Sequence, residues 1–487
     1  PRKWNAGSVI ARNFTEYDYN ALVENVKTLQ TDVNTLQTDL TAEQNKTGIL
    51  TNLKTTEKAN LVGAVNEIFD ETASLNDRLE TSEQNLTSQL VQIAKRNPVI
   101  SIEEFASSRV AIAEGWDYTQ PFKDAFLEIK NTGKTLILNE EQIYYVSEEI
   151  QDTINNFKMI GKNTIIKSLA PAGQACFNIT GSLGEELPIL EDIPSKSKTI
   201  KLSPADSETL NAGDYLKIST TENYFVVANR DYKKGEIVRV ESVNKATGIV
   251  TISGNGVTLS YTALNNNLRC QKMNLIENIS IEGVEFIGSG TDNGQVGIRI
   301  GIAKNVKISK NSFSHFEVGI GLKSVISANI TQNFISECFK AGTGYGIAVI
   351  GASKHINVYN NQFEHNRHSF TVAGEDGVCM HLSVKDNQAR FDTDSSFNTH
   401  GNARFVDFDN NNVNGSKMGV SVYSPHTRVK NNTIENVKSS AIHTTEGGGI
   451  NFEAFKNEIT NCSDDYFSAI EANVTATVHE QNLFVKI

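Results

Sequence analysis

Histidine is concentrated in one part of this sequence, where the neighbouring repeats are largely aliphatic. Seven of the nine histidines lie between residues 355 and 443, namely His355, His365, His368, His381, His400, His426 and His443. Two polar breaks stand out there, Arg367-His368 and, about one repeat later, Thr399-His400-Gly401-Asn402. Imidazoles titrate near neutral pH and can act as general base and general acid without a metal, and arginine can hold a phosphate through two parallel hydrogen bonds. We therefore expect Arg367, His368 and His400 to form a catalytic centre for phosphodiester hydrolysis.

Carboxylates near this centre leave a second mechanism open. Asp392 and Asp394 lie just before His400, and either could orient one of the imidazoles. Glycoside cleavage would instead use a pair of carboxylates, whose separation distinguishes retaining from inverting enzymes. Candidates for such a pair are Glu375, Asp376, Asp392, Asp394 and Glu446. A Ca²⁺-dependent lyase would need clustered aspartates beside a lysine or arginine base, and the sequence shows no compact cluster of that kind.

A third possibility is an adhesin that binds a polymer without cutting it. The candidate substrate-binding residues are Tyr423, His426, Arg428, His443 and Glu446. A net charge of -12 argues against nucleic acid as the partner, because a polyanion is bound through a basic stripe. An anionic polymer would need a local basic site that overrides this average charge. The cysteines are scattered singly without a CxxC pair, so we expect no metal site and no cofactor.

A degenerate repeat from Leu275 to about Ile459 must position these residues. Each unit has a short β-prone run, an asparagine, and an apolar residue one or two places later. The asparagines, spaced by 22, 28, 26, 24, 21 and 25 residues, are Asn311, Asn333, Asn361, Asn387, Asn411, Asn432 and Asn457. Repeats of this length are typical of a β-helix. Asparagine tolerates a left-handed corner, and its amide can hydrogen-bond to the next coil, so adjacent coils should bring the Arg367 and His400 segments to one surface patch.

The N-terminal part of the chain has a different periodicity. Apolar residues from Leu22 to Leu40 follow the four-three spacing of heptads, and a second helical stretch runs over 70–93. So narrow an apolar stripe favours a coiled coil over a helix docked on a globular core. After Pro98 the heptads give way to short β-prone runs rich in Ile, Val, Asn and Gly. We therefore predict an attachment segment and coiled-coil stalk over residues 1–97.

Residues 98–487 are predicted to form the β-helix domain. A helix-like segment over Tyr118–Lys130 comes first and should cap the end of the solenoid, whose core and strand edges would otherwise be exposed. Alternating strands and turn residues over 198–272 predict a small antiparallel β insertion. The predicted fold class is therefore an all-β right-handed parallel β-helix with an N-terminal α-helical coiled-coil stalk and a β insertion.

Several of these features resemble proteins of bacteriophage tails. Residues 53–68 resemble a segment that recurs in the stalks of phage tail fibres, and the helix-then-strand order after Tyr118 resembles pectate-lyase-like β-helix proteins. The Arg367-His368 pair followed by Thr399-His400-Gly401 resembles the pre-neck appendage proteins of phages that infect Gram-positive bacteria. Those proteins carry Asp-x-His-Gly on the second coil, and here Asn398 stands in place of the aspartate. The resemblance implies a tail spike that binds and degrades teichoic acid or a similar cell-surface polymer.

The same resemblance implies partners and a place of action. We expect a homotrimer with a parallel stalk, bound to the virion tail or baseplate through the N-terminus, although the heptads alone leave two or three strands open. The host partner would be a surface polymer, either teichoic acid or a polysaccharide. The apolar runs are too short to span a membrane, and no basic region followed by an apolar stretch marks a secretory signal. We therefore expect assembly in the host cytoplasm and action at the outer surface of the host cell.

Overall fold

The computed structural model describes most of the chain beyond residue 97. Its described residues are 98–227, 230–290, 294–444 and 450–463, the short strands at 467–468, 476–478 and 483–485, and positions 31, 35, 38, 39, 41 and 42. The chain divides into two compact units, Pro1–Asn97 and Pro98–Ile487. The six described positions of the first unit are helical and exposed, and the rest of the predicted stalk, including residues 53–68, lies outside the described residues. None of the described helices is long and apolar enough to cross a membrane.

A helix covers the beginning of the second unit. Helix α1 (Thr119–Thr132) lies close to the segment expected from the sequence and ends at Gly133, which adopts the left-handed conformation with φ of 68°. Its buried Phe122 and Phe126 pack against Phe177, with ring centroids 5.3 and 5.5 Å apart. The helix therefore covers apolar surface at the end of the solenoid. The other elements of this end are the 3₁₀-helix Ile102–Ser108 and strands β1 (Val99–Ser101), β2 (Val110–Ile112), β3 (Gly115–Asp117), β4 (Thr135–Ile137), β5 (Ile143–Val146) and β6 (Ile150–Asp152).

Parallel strands then stack into a β-solenoid of about 13 turns, which confirms the predicted parallel β-helix. Each coil contributes one strand to each of three sheets, and four long strands bend from one sheet into the next: β7 (Lys158–Ser168), β15 (Ile276–Ile287), β16 (Val296–Ser309) and β18 (Val318–Thr331). Sheet I continues through β8 (Ala175–Thr180), β20 (Tyr345–Ile350), β23 (His368–Val372), β26 (Ser395–Thr399), β29 (Met418–Val422), β32 (Ile442–Thr444) and β35 (Phe467–Ser468).

The other two sheets complete each coil. Sheet II continues through β21 (Lys354–Tyr359), β24 (Cys379–Lys385), β27 (Ala403–Asp409), β30 (Thr427–Lys430), β33 (Phe452–Phe455) and β36 (Ala476–Val478). Sheet III continues through β17 (Ser312–Ser314), β19 (Phe334–Ser336), β22 (Gln362–Glu364), β25 (Gln388–Arg390), β28 (Asn412–Asn414), β31 (Thr433–Glu435), β34 (Glu458–Thr460) and β37 (Leu483–Val485). One continuous apolar core runs through the coils.

The repeated asparagines form a buried ladder between sheets II and III. From Asn311 to Asn457, each side-chain Nδ2 donates to Oδ1 of the next asparagine along the ladder at 2.9 to 3.1 Å. The same oxygen also accepts from the backbone N–H of the preceding asparagine at 2.9 to 3.1 Å. Because each side-chain amide is hydrogen-bonded to the asparagine of the adjacent coil, the ladder fixes the register from one coil to the next.

The left-handed backbone expected of these asparagines lies one residue earlier. The residues immediately before the ladder have φ between 52° and 58°: Lys310, Gln332, Asn360, Asp386, Asn410, Asn431 and Lys456. The turn thus needs a left-handed residue next to an inward-facing amide, and the two requirements fall on neighbouring positions. This explains why the preceding residue varies in type whereas the buried residue is always asparagine.

A six-stranded antiparallel sheet interrupts the solenoid. Its spatial order is β10-β13-β12-β11-β14-β9, with bounds β9 (Ser182–Pro188), β10 (Thr199–Lys201), β11 (Tyr215–Val227), β12 (Arg230–Asn244), β13 (Ile249–Ile252) and β14 (Arg269–Asn274). Helix α2 (Pro204–Ser207) lies between β10 and β11. The insertion therefore starts earlier than the expected residue 198, because β9 pairs with β14 across its base. It has an apolar core of its own, which also includes Val378 and Met380 of the solenoid.

Candidate functional site

One cleft gathers most of the residues expected to be catalytic. It lies on the outside of sheet I and has a volume of about 350 Å³. Its lining residues are Arg230, Tyr232, Gly342, Arg367, His368, Asp394, Ser395, Asn398, His400, Met418 and Tyr423. The solenoid register explains this grouping. Phe370 of β23 pairs with Phe397 of β26, so Arg367 and His368 lie beside Asp394 and Ser395 on the next coil, and His400 follows the far end of β26.

Asp394 is the charged centre of the cleft. Its Oδ2 accepts from a guanidinium nitrogen of Arg367 at 3.1 Å and lies 3.9 Å from Nε2 of His368. Its Oδ1 lies 3.8 Å from Nζ of Lys417. The Arg367 guanidinium also lies over the ring of Tyr345, 5.9 Å from its centroid, and donates to the Gly342 carbonyl at 3.3 Å. Arg367 is therefore held from three sides and is preorganised at the cleft surface.

His368 has a defined tautomer. Its Nδ1 lies 2.6 Å from the carbonyl oxygen of Ser395, which can only accept, so Nδ1 carries the hydrogen and Nε2 keeps its lone pair. The ring is 3% exposed and stacks on Tyr345 at 5.8 Å between centroids. Burial lowers the pKa of His368, and the positive charge of Arg367 lowers it further. At neutral pH the residue is therefore a neutral imidazole that can accept a proton at Nε2.

His400 lies at the other end of the cleft. Its ring packs edge-on against Tyr232, with centroids 6.4 Å apart. Burial lowers the pKa of His400 to about 3, helped by the charges of His368, Arg230 and Arg367. Gly401 lets Tyr232 approach, because a Cβ at Gly401 would lie 2.6 Å from the tyrosine ring. The free cleft thus holds a second neutral imidazole, which shares its lining with Arg230 and Arg367.

Arg230 and Tyr232 come from the antiparallel insertion, and no sequence pattern predicted them as cleft residues. The strand that carries them is joined to the solenoid loop between β23 and β24. Lys233 N–H donates to the Glu375 carbonyl at 2.9 Å, and Val378 N–H donates to the Gly235 carbonyl at 2.8 Å. Buried Lys217 adds an ion pair to Asp376 at 2.5 Å. The insertion therefore forms a fixed wall of the cleft.

Asp392 lies away from the cleft, so Asp394 is the carboxylate beside the imidazoles. Asp392 is 2% exposed and faces the interior. Its oxygens accept from the Asn366 backbone N–H at 2.9 Å and from Ser369 Oγ at 2.6 Å, and its own N–H donates to Ser416 Oγ at 3.1 Å. Burial raises the pKa of Asp392 to about 7. Asp392 is thus one rung of a second buried ladder rather than a partner of a histidine.

The expected substrate-binding residues divide between two surfaces. Tyr423 lines the cleft, and His443 packs against it with ring centroids 5.9 Å apart. His426 and Arg428 line a different groove, where Arg428 forms two hydrogen bonds of 2.6 Å with Asp407. Glu446 lies outside the described residues. The turn between Tyr423 and His426 separates sheet I from sheet II, so residues close in sequence face different cavities.

The cleft offers little for a paired-carboxylate mechanism or a metal. Among the described residues that line it, Asp394 is the one carboxylate. No group of three or more His, Cys, Asp or Glu side chains could hold a metal ion within the described parts of the chain. Cations and neutral imidazoles dominate instead, which suits an anionic ligand and proton transfer.

Comparison with known proteins identifies the fold. No protein-family model matches the sequence, and no curated protein does either. The structure is similar to the tailspike protein gp49 of Pseudomonas phage LKA1, with a TM-score of 0.55 and 16% identity over 78% of this chain and 64% of that one. It is also similar to the gp54 tailspike of Acinetobacter baumannii bacteriophage AP22, solved with A. baumannii capsular saccharide, with a TM-score of 0.53 and 17% identity over 80% of this chain and 69% of that one. The chain thus spans just under two thirds of the first of these proteins and shares its fold with both.

Proposed function

We propose that this chain is the receptor-binding part of a phage tailspike and that its cleft hydrolyses phosphodiesters in a teichoic-acid-type polymer of the host surface. The observation that carries the proposal is the meeting of Arg367, His368 and His400 in one cleft with Arg230. The fold shared with two tailspikes supports the binding role, and one of those was solved with a capsular saccharide. The link to phages of Gram-positive bacteria remains a prediction from sequence.

The cations of the cleft account for binding an anionic group on a protein of negative net charge. Arg367 of the solenoid and Arg230 of the insertion both line the cleft, and Lys417 of the next coil lies 3.8 Å from Asp394. A phosphodiester between the two guanidiniums would be held by charge-assisted hydrogen bonds. The same groups would stabilise the negative charge that grows on the phosphoryl oxygens in the transition state.

The imidazoles supply the proton transfers. His368 presents the lone pair of Nε2 and takes the proton of the attacking water, and Asp394 at 3.9 Å stabilises the imidazolium that forms. His400 gives a proton to the leaving oxygen. Because neighbouring positive charges contribute to its low pKa, a bound phosphate anion offsets them and favours its protonation. Substrate binding therefore favours the acid form of His400.

Product analysis on purified polymers tests the proposal. Glycerol-phosphate and ribitol-phosphate teichoic acids and a phosphate-free capsular polysaccharide are incubated with the protein and then sized, and new phosphomonoester ends are counted. Shortened teichoic acid with new phosphomonoesters supports the proposal. Shortening without phosphomonoesters would mean glycosidic cleavage, and retention without shortening would mean an adhesin.

Substitutions assign the roles. His368→Ala and His400→Ala should each lower kcat by about 10²-fold or more with polymer binding largely kept, since general acid–base catalysis contributes that much. Arg367→Ala should weaken both binding and turnover, because the same guanidinium would bind the phosphate in the ground state and in the transition state. The matched control is His365→Ala, an exposed histidine on the same coil that packs on Phe391 outside the cleft. If His365→Ala and His400→Ala behave alike, the assignment of His400 is wrong.

The proposal includes a homotrimer that is attached to the virion tail through the N-terminal unit. The heptad spacing of residues 22–40 supports association of parallel helices. Light scattering at micromolar concentration should give three times the chain mass of 53.5 kDa. A monomer mass would contradict this part of the proposal and leave the cleft chemistry open to the assays above.

A further inference from the structure

Positive charge is concentrated in a groove between the antiparallel insertion and the solenoid. The groove has a volume of about 510 Å³ and is separate from the cleft. Lys196 and Arg239 line it from the insertion, and Lys354 and Arg404 line it from sheet II of the solenoid. We call this cavity the insertion groove. Four cations in one cavity stand out on a protein whose net charge is -12.

The cations of the insertion groove have no carboxylate partner. Other cations of the insertion do form ion pairs, namely Lys217, Lys233, Lys234, Lys245, Arg269 and Lys272. Within the described parts of the chain, no ion pair involves the four cations of the groove. Glu236 is the one carboxylate among the described lining residues, and its oxygens accept from the N–H groups of Thr258 and Leu259 and from the Tyr261 hydroxyl at 2.9 to 3.0 Å. Most of the positive charge is therefore uncompensated.

The solenoid register places two of these cations in one row. Lys304, Ile326, Lys354, Met380 and Arg404 occupy the same position on five successive coils. Nζ of Lys304 lies 3.7 Å from a carboxylate oxygen of Glu277, whereas Lys354 and Arg404 have no such partner in the described chain. Met380 lies between them and packs into the apolar core of the insertion. Since strands stack about 4.8 Å apart, the two cations flank this contact with Cα atoms about 10 Å apart.

Two buried donors in and beside the groove lack an acceptor. Neither Arg404 Nε nor the Tyr224 hydroxyl has a hydrogen-bond partner among the described residues. The two groups are close, since burial raises the pKa of Tyr224 and the charge of Arg404 opposes that rise. Nζ of Lys354 has only a neutral acceptor, the Ile237 carbonyl at 2.8 Å. Buried donors and charges are costly without partners, so the groove calls for an anion that the described chain does not supply.

We propose that the insertion groove binds a small multivalent oxyanion of the phosphate class, which links the insertion to the solenoid. Arginine holds such a group through two parallel hydrogen bonds, and lysine adds a point charge. A surplus of four cations over one carboxylate favours a multivalent anion over a monovalent one. The insertion carries the wall of the cleft, so occupancy of the groove would also stabilise that wall. The proposal holds whether or not the cleft cleaves phosphodiesters.

Calorimetric titration of the full chain at low salt tests the proposal, with sodium pyrophosphate, inorganic phosphate and acetate as probes. Because the cleft is cationic too, the titrations use the Arg367→Ala variant, in which binding at the cleft is weakened. In this background, Lys354→Gln/Arg404→Gln removes two cations of the groove and keeps polar side chains there. Arg239→Gln is a second groove variant at an exposed position, so the test does not depend on folding of the double variant. The matched control is Lys385→Gln, an exposed lysine at the far end of β24 in the same sheet.

Pyrophosphate should bind the Arg367→Ala protein more tightly than phosphate, and acetate should give no saturable binding. Loss of charge-assisted hydrogen bonds should raise the Kd for pyrophosphate about tenfold or more in the double groove variant and by a smaller factor in Arg239→Gln, with no change in Lys385→Gln. Pyrophosphate should raise the Tm of the Arg367→Ala protein but not that of the double groove variant.

Three results would overturn the proposal. No saturable binding of pyrophosphate to the Arg367→Ala protein would mean that water alone fills the groove. An unchanged Kd in both groove variants would place the anion elsewhere on the protein. An equal rise in Kd in Lys385→Gln would show a general effect of charge rather than a site.

Discussion

Replacing Asp392 by asparagine should stabilise the protein above neutral pH. Asp392 follows Asn366 in the second buried ladder, where the Asn366 amide Nδ2 donates to the Ile335 carbonyl at 3.0 Å. Because Ile335 pairs with Phe363 on the next coil, the Phe363 carbonyl is placed to accept from an amide at position 392 in the same way. Asn366 N–H would keep Oδ1 as its acceptor, and the Ser369 hydroxyl, which now donates to Oδ2, would instead accept from the new amide nitrogen. The substitution therefore removes a buried charge and keeps the ladder.

The size of the effect follows from linkage. Burial raises the pKa of Asp392 from 3.8 to about 7, so between these values the folded protein holds a proton that the unfolded chain has released. The free energy of unfolding of the wild type therefore falls as pH rises through that window. At about 1.36 kcal/mol per pKa unit, the loss reaches at most about 4 kcal/mol above pH 7. With an unfolding entropy of about 2.1 cal/mol/K per residue over Pro98–Ile487, this corresponds to a Tm difference of at most about 5 °C.

Thermal unfolding at a fixed scan rate, from pH 4 to pH 8.5, measures this difference. Asp392→Asn should match wild type near pH 4 and exceed its Tm by a growing margin up to about pH 7. The control is Asp386→Asn on the same coil, where the carboxylate accepts from exposed Asn410 at 2.7 Å; above pH 7 its Tm gain should be smaller than that of Asp392→Asn. A Tm difference that does not change with pH would refute the reasoning, since it would show that Asp392 does not retain its proton in the fold.

Two further substitutions probe the ladder and the wall of the cleft. Asn361→Ala leaves two buried N–H donors of the preceding rung without an acceptor and should lower the free energy of unfolding by about 2–6 kcal/mol in denaturant titrations, whereas Asn357→Ala on the exposed face of that coil should change it by less than about 1 kcal/mol. Gly401→Ala should displace Tyr232 and reduce polymer turnover with little loss of Tm, whereas Gly321→Ala, where a Cβ meets its nearest atom at 3.8 Å, should leave both unchanged. Equal activity of the two alanine variants would show that Tyr232 does not shape the cleft.

The sequence by itself determined the solenoid and its cap. Asparagines spaced by 21 to 28 residues predict stacked coils because a buried amide ladder requires one such residue at the same place in every coil. It also predicted that Arg367, His368 and His400 lie close together, because polar residues that interrupt aliphatic strands are visible without coordinates. Strand alignment placed them on neighbouring coils, and the pairing of β23 with β26 agrees with that alignment.

The tertiary structure decided in which direction each side chain at a turn points. Asp392 and Asp394 are two residues apart and of the same residue type, yet one enters the interior ladder and the other meets Arg367. Tyr423 and His426 are three residues apart but line different cavities. Corners of a β-helix have no fixed side-chain period, unlike strands, so spacing alone cannot assign their faces.

The wall of the cleft depended on contacts between residues that are far apart in the chain. Arg230 and Tyr232 reach the cleft because the insertion docks on the loop between β23 and β24, through pairs such as Lys217 with Asp376. Those partners are 159 residues apart in the chain. The repeat pattern determines which residues stack within the solenoid, whereas the docking of the insertion depends on shape and charge complementarity between two folded surfaces, which no local pattern records.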